Sequence, residues 1–274
     1  MTRVLVDGVR YEVRVGGSGP AILLIHGFTG RGAAWSPLLP ALRARMTTIQ
    51  VDLLGHGRSD SPDAARHAVE RQAADLAVVC RRIAARPVAV LGYSFGARIA
   101  LALALTEPTA VSRLVLESPS AGIADPGERG SRRAADDRLA AEIERDGIPA
   151  FVDRWEALPL FSTLAALPPA ARARLHAARL RNNPSGLAAS LRGAGQGAMT
   201  PLHEELCVIR VPTLVLCGAL DPARSRAESV AAGISGARLV AIPGVGHTPH
   251  LESPAAFRAA VLPFLDATNP QEIH

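Results

Sequence analysis

The sequence predicts an α/β fold: a mostly parallel central sheet with helices on both faces, interrupted by an all-helical insertion. Three observations predict it. Short apolar runs alternate with amphipathic stretches, the alternation stops between residues 121 and 201, and a glycine-flanked serine joins one apolar run directly to a helix. Regular alternation of strand and helix requires crossover connections, which give parallel strands covered on both sides.

The elements follow in order. Residues 2–15 alternate in hydropathy around Asp7-Gly8, a pair suited to a hairpin turn. Residues 21–25 form a short apolar run after a Gly-rich turn, and residues 47–51 form the next strand. Residues 69–84 have the apolar period of a helix, 87–91 read as a buried strand, 94–105 as a helix and 113–117 as a further strand. From 121 to 201 no strand is convincing, and Arg/Ala-rich helical stretches are punctuated by Pro149, Pro159, Pro168, Pro169 and Pro184. Strand character returns at 212–217 and 238–242, before a last helix at 254–265. The expected organisation is therefore a core of residues 1–120 and 202–274 with a helical cap, or lid, of residues 121–201. In such folds ligands sit beyond the carboxyl ends of the strands, where an insertion of this kind can cover them.

Composition bounds the function. The chain has 274 residues, 48% hydrophobic and 20% charged, enough to bury a sizeable core. The formal charge is +5, and every basic side chain other than histidine is arginine, a usage that fits a GC-rich genome. The arginines are dispersed and only 4% of residues are aromatic, which argues against nucleic acid. A positive balance suits an anionic small molecule instead. Cys80, Cys207 and Cys217 have neither disulfide nor zinc spacing and read as small buried apolar residues. No signal peptide or membrane span is apparent, so the expectation is a cytoplasmic protein with no membrane or nucleic-acid partner, its oligomeric state left open with a monomer favoured. No motif suggests a metal or other cofactor.

Gly92-Tyr93-Ser94-Phe95-Gly96 matches G-x-S-x-G between an apolar strand and a helix, the context in which it acts as a nucleophile elbow. Ser94 then stands at a helix N-terminus, which favours developing negative charge. A reactive serine needs a base, and the base an orienting acid, in the chain order serine, acid, histidine. Asp221 follows the 212–217 strand and His247 follows the next, in Gly244-Val245-Gly246-His247. Glu117 and Asp125 are other candidate acids; His250 reads as a surface or supporting group, and His56 as structural. Oxyanion donors are expected from the backbone N–H of Phe95 and, in the loop His26-Gly27-Phe28-Thr29-Gly30, of Phe28. Arg98 lies four residues beyond Ser94 and shares its helix face, where a buried cation needs an anion: a ligand, or a salt bridge to Glu117 or Asp52.

HGFTG, DLLGHGRS, GYSFG and the glycine-flanked His247 together resemble the α/β-hydrolase superfamily over nearly the whole chain. A finer resemblance is to the 2-succinyl-6-hydroxy-2,4-cyclohexadiene-1-carboxylate synthases of menaquinone biosynthesis. It is carried by Ser94-Phe95-Gly96-Ala97-Arg98, Leu116-Glu117-Ser118-Pro119, the run Arg132–Arg138, Trp155, Pro159-Leu160-Phe161 and Arg179-Leu180-Arg181-Asn182. It implies a lyase that eliminates pyruvate from 2-succinyl-5-enolpyruvyl-6-hydroxy-3-cyclohexene-1-carboxylate, a small polycarboxylate, without a cofactor. It also implies carboxylate ligands at Arg98, Arg133 and Arg179, with Arg132 or Arg181 replacing the last two if the register slips. Tyr93, Trp155 and Phe161 would line the pocket, although Trp155 and Phe161 also suit an ordinary lid core. The sequence departs from the family at Ala97, where glycine is common, and at Pro222-Ala223-Arg224, where a lysine and an aromatic residue are common. Two rivals share the same residues: a carboxylesterase, thioesterase or carbon–carbon bond hydrolase working through an acyl-enzyme, and a non-catalytic ligand-binding protein.

Overall fold

Four of the five residues of the run Ala21–Ile25 are fully buried, because both faces of that strand are covered. Ile22 and Leu24 point to one side of the sheet, Leu23 and Ile25 to the other, and each pair joins a different core cluster. The computed structural model describes residues 2–266. Its strands are β1 (Thr2–Val6), β2 (Val9–Gly16), β3 (Ala21–Ile25), β4 (Thr47–Val51), β5 (Val88–Tyr93), β6 (Val111–Glu117), β7 (Thr213–Gly218) and β8 (Arg238–Ile242). They form one eight-stranded sheet in the order β1-β2-β4-β3-β5-β6-β7-β8. β2 runs antiparallel to both β1 and β4, and every other pair is parallel. This is the expected fold class, and the expected strands fall within two residues of the observed ones.

The helices of the sheet layers are α1 (Leu39–Arg43), α2 (Val69–Ile83) and α3 (Phe95–Thr106). After β3 the chain steps outward to β4, then crosses back to β5 on the other side of β3. Leu42 of α1 belongs to one core cluster, and Leu76 of α2 to the other, so the two crossovers use opposite faces. α3, which follows β5, also packs on the face opposite α1, so the loops leaving β3 and β5 diverge and open a crevice at the carboxyl ends of these strands.

Between β6 and β7 lie α4 (Pro126–Glu156), a 3-10 segment Pro159–Ala166, α5 (Pro169–Arg179) and α6 (Pro184–Ala194). Pro126, Pro169 and Pro184 each occupy a helix start, where a missing N–H costs nothing. Asp125 and Asn183 cap α4 and α6 by accepting the N–H groups of Glu128 and Gly186 at 2.7 and 3.1 Å. α4 is kinked at Gly147, whose φ is 81°. Ala140, Ile143 and Phe151 of α4 bury against Leu187, Ala188 and Leu191 of α6, and the cluster packs on Phe28 and Trp155. α7 (Arg224–Gly233), α8 (Pro249–Glu252) and α9 (Pro254–Asp266) complete the chain. Among the described residues no helix is long and apolar enough to cross a membrane. One expectation fails on a detail: Cys80 and Cys217 are buried, but Cys207 is exposed on a 3-10 turn.

Candidate active site

β5 ends at Tyr93 and α3 begins at Phe95, so Ser94 is the entire connection between them. Its φ is 49° and its ψ −103°, a conformation that a residue with a side chain holds only when its surroundings impose it. Two glycines allow the turn to be this tight. A Cβ on Gly92 would stand 2.5 Å from Gly96 O, and one on Gly96 would stand 2.6 Å from His26 O. Both obstacles are backbone and cannot swing aside. The Ser94 N–H donates to Glu117 O at 2.8 Å, tying the turn to β6.

Ser94 Oγ lies 3.0 Å from His247 Nε2, and His247 Nδ1 lies 2.9 Å from Asp221 Oδ2. With its hydrogen on Nδ1, the ring donates to Asp221 and accepts the serine hydroxyl proton at Nε2. Burial alone would raise the Asp221 carboxyl; the hydrogen bond and charge of His247 and the Ala223 N–H outweigh it and hold the group below the usual carboxylate range. The His247 loop is fixed at several points. Ser118 Oγ donates to His247 O at 3.0 Å, and Glu252 accepts the N–H groups of Gly246 and Thr248 at 2.8 and 2.9 Å.

The other candidate acids are placed elsewhere. Asp125 caps α4, and Glu117 contacts both the N–H and Nδ1 of His250 at 2.8 Å. His250 is itself buried, so it is no surface group. His56 donates from Nδ1 to Leu54 O and accepts the Thr29 N–H at Nε2, which makes it structural in the loop beside Phe28.

A cavity of about 130 Å³ opens beside Ser94, and Phe28, Phe95, Tyr93, Trp155 and Phe161 line it. The Phe28 and Phe95 rings meet edge-on at 6.5 Å, and the Phe95 N–H belongs to the first turn of α3, where such groups lack helical partners. Trp155 and Phe161, 5.5 Å apart, close the helical side. Arg98 also lines the cavity, and it is 7% exposed. Its Nη1 donates to Ala194 O at 2.7 Å and approaches Met199 Sδ at 3.5 Å, while its guanidinium lies 5.0 Å over the Phe95 ring. Among the described residues it has no carboxylate partner, neither Glu117 nor Asp52. Burial first, and then the charge of Arg132, push its pKa down to about 9.

Two residues implied by the resemblance do not reach this cavity. Arg133 is exposed, and the lining side chain is that of Arg132. The inward stripe of α4 runs Arg132, Asp136, Ala140, Ile143, and Arg133 lies about 100° round the helix from it. Arg179 is buried, but Glu156 holds its Nη1 at 2.9 Å and its guanidinium lies 5.0 Å over Phe161. It lines a second cavity of about 620 Å³, as does Arg181, and Phe28, Tyr93 and Phe161 border both cavities. Sequence reasoning missed Gln196 and Arg226, which also line the Ser94 cavity. The only signal for Arg226 was its place in the first turn of the helix that follows Asp221.

The family profile described as the α/β hydrolase fold matches residues 20–254. A Bacillus subtilis (strain 168) protein provisionally named 2-succinyl-6-hydroxy-2,4-cyclohexadiene-1-carboxylate synthase is 40% identical over 263 residues, covering 94% of this chain and 96% of its own. The chain belongs to this synthase family of the α/β hydrolases. A second synthase relative, from Pectobacterium atrosepticum, is 30% identical over 90% of this chain and 94% of its own. Among solved structures, MenH from S. aureus superposes with a TM-score of 0.89 at 30% identity, covering 93% of this chain and 97% of that one. The similarity to these synthases therefore spans the helical segment between β6 and β7 as well as the sheet.

Proposed function

We infer that the protein is a carbon–oxygen lyase that eliminates pyruvate from 2-succinyl-5-enolpyruvyl-6-hydroxy-3-cyclohexene-1-carboxylate, giving 2-succinyl-6-hydroxy-2,4-cyclohexadiene-1-carboxylate for menaquinone biosynthesis. Its family membership supports this reaction. The structural observation that carries it is Arg98: a buried cation with no carboxylate partner among the described residues, one helical turn from Ser94 and in the same cavity. Such a cation is stabilised by an anionic ligand, and an ordinary ester offers none.

Ser94 acts as a base assisted by His247, which Asp221 orients. It removes the proton alpha to the succinyl ketone; the electron pair moves through the ring and breaks the carbon–oxygen bond to the enolpyruvyl group. Pyruvate departs as its enolate, which takes up a proton and becomes the ketone. The Phe28 and Phe95 N–H groups stabilise the substrate enolate, each worth a few kcal/mol in comparable sites. Tyr93, Trp155 and Phe161 shape the pocket, and residues 121–201 form a cap over the core of residues 1–120 and 202–274. The enzyme works as a cytoplasmic monomer on a small polycarboxylate.

The hydrogen-bonded Ser94, His247 and Asp221 would equally serve a hydrolase that forms an acyl-enzyme. Ser94→Ala tests the reading: it abolishes pyruvate release above the spontaneous rate while calorimetry still detects substrate binding. Release unaffected by Ser94→Ala would remove Ser94 from the mechanism.

A further inference from the structure

Arg98, Arg132 and Arg226 line the cavity beside Ser94, and no aspartate or glutamate is among its lining residues. Asp136 stands behind Arg132, Oδ1 to Nε at 2.8 Å, and balances one of the three charges. Arg98 meets only a carbonyl, a thioether and a ring. Arg226, on α7, is an exposed side chain that lines the cavity mouth. Its Nη1 donates to Gln196 Oε1 at 3.2 Å, a neutral contact at the cavity wall. The one acid of α7, Glu228, is held by Arg224 at 2.7 Å. Arg226 therefore has no carboxylate partner among the described residues. Burial and then Arg132 lower the Arg98 pKa, the charge of Asp136 opposes them, and Arg226 makes a smaller contribution to the lowering.

Two cations without a carboxylate in contact among the described residues line one small cavity, and a ligand with a carboxylate for each would turn their mutual repulsion into attraction. The family resemblance would assign a substrate cation to Arg179, but that charge is paired with Glu156 and lines the neighbouring cavity. We propose that Arg226 is a specificity-determining residue of this enzyme: it holds one substrate carboxylate at the cavity wall while Arg98 and Arg132 hold another. The inference rests on the polycarboxylate reading above and adds a requirement to it, that a ligand carry two separated carboxylates. Gln196 holds the guanidinium near the cavity until the ligand takes its place.

The test compares the wild-type chain with Arg226→Gln, Arg226→Lys and Arg81→Gln, the last removing an equal charge at an exposed site on α2. Two readouts are used: pyruvate release from the cyclohexene substrate, and calorimetric binding of propane-1,2,3-tricarboxylate. Arg226→Gln raises KM about tenfold with kcat nearly unchanged and weakens tricarboxylate binding about as much, the scale of one charge-assisted contact. Arg226→Lys recovers part of both losses, p-nitrophenyl acetate hydrolysis does not change, and Arg81→Gln behaves as wild type. If Arg226→Gln and Arg81→Gln are indistinguishable in tricarboxylate binding, Arg226 is an ordinary surface cation and the proposal is overturned. A wild-type chain that releases no pyruvate above background defeats the functional reading alone, and tricarboxylate binding by the same variants still decides for or against Arg226.

Discussion

Arg98 illustrates how one side chain can report a ligand's chemistry. Its guanidinium is buried against Ala194 O and the Phe95 ring with no carboxylate in contact among the described residues. Removing it should cost about 1.5–3 kcal/mol of substrate binding. Arg98→Ala is expected to lower kcat/KM for pyruvate release by roughly 10- to 100-fold, mostly through KM. Unchanged kinetic constants would show that no substrate carboxylate sits there. The position was legible because i and i+4 share a helix face, so a residue four beyond Ser94 had to point the same way. The cap arginines were less legible. An error of one residue on α4 turns a side chain about 100°, which is what separates exposed Arg133 from cavity-lining Arg132. Arg226 was barely legible: beyond its place in the first turn after Asp221, its position at the Ser94 cavity arises from the approach of α7 to the end of α6, which no spacing along the chain encodes.

The Ser94 turn is the element on which the site depends, and its constraints come from backbone crowding. A methyl group on Gly96 would press on the backbone carbonyls of Ile25 and His26, which lead into the loop carrying Phe28. Gly96→Ala is therefore expected to destabilise the fold by about 1–3 kcal/mol. It should also lower kcat disproportionately, since Ser94 and the Phe28 loop move apart together. Denaturant unfolding and steady-state kinetics check the two parts; a variant with wild-type stability and kcat would refute the crowding argument. Elements of this kind were readable from sequence where covalent geometry dictates them. Pro169 and Pro184, read as punctuation between helical stretches, fall at helix starts, and the Asp7-Gly8 pair marked the hairpin between β1 and β2. Pro149 marked the neighbourhood of the single break in α4, while the residue that makes the kink, Gly147, was not singled out.

Across the whole molecule, three buried histidines couple folding to pH. His26 and His67 have pKa values lowered to about 4, and His56 to about 3, in each case chiefly by burial. The unfolded chain, with histidines near 6.5, binds more protons than the folded one between these values. Stability from these groups is complete above about pH 6.5 and is lost as the pH falls towards 3–4. The urea midpoint should fall steadily across that window, and His56→Gln should flatten the slope; a midpoint independent of pH from 6.5 to 4 would contradict the buried, neutral assignment. The mostly parallel sheet with both faces covered was legible because strands buried on both faces are apolar at nearly every position; the strand order was not. The sequence could not show that Tyr93, Phe28 and Phe161 separate two cavities and leave Arg179 beyond that wall, because that partition depends on how the helical segment seats on the sheet.

The central claim is that Ser94 serves an elimination on a polycarboxylate. The most direct test measures kcat/KM for pyruvate release from freshly prepared 2-succinyl-5-enolpyruvyl-6-hydroxy-3-cyclohexene-1-carboxylate beside that for hydrolysis of short p-nitrophenyl esters, with the spontaneous reaction and Ser94→Ala as controls. Fast, Ser94-dependent pyruvate release with feeble ester cleavage is the predicted result. Efficient ester cleavage with pyruvate release at the spontaneous rate would contradict it and make the enzyme a hydrolase built on the same three residues.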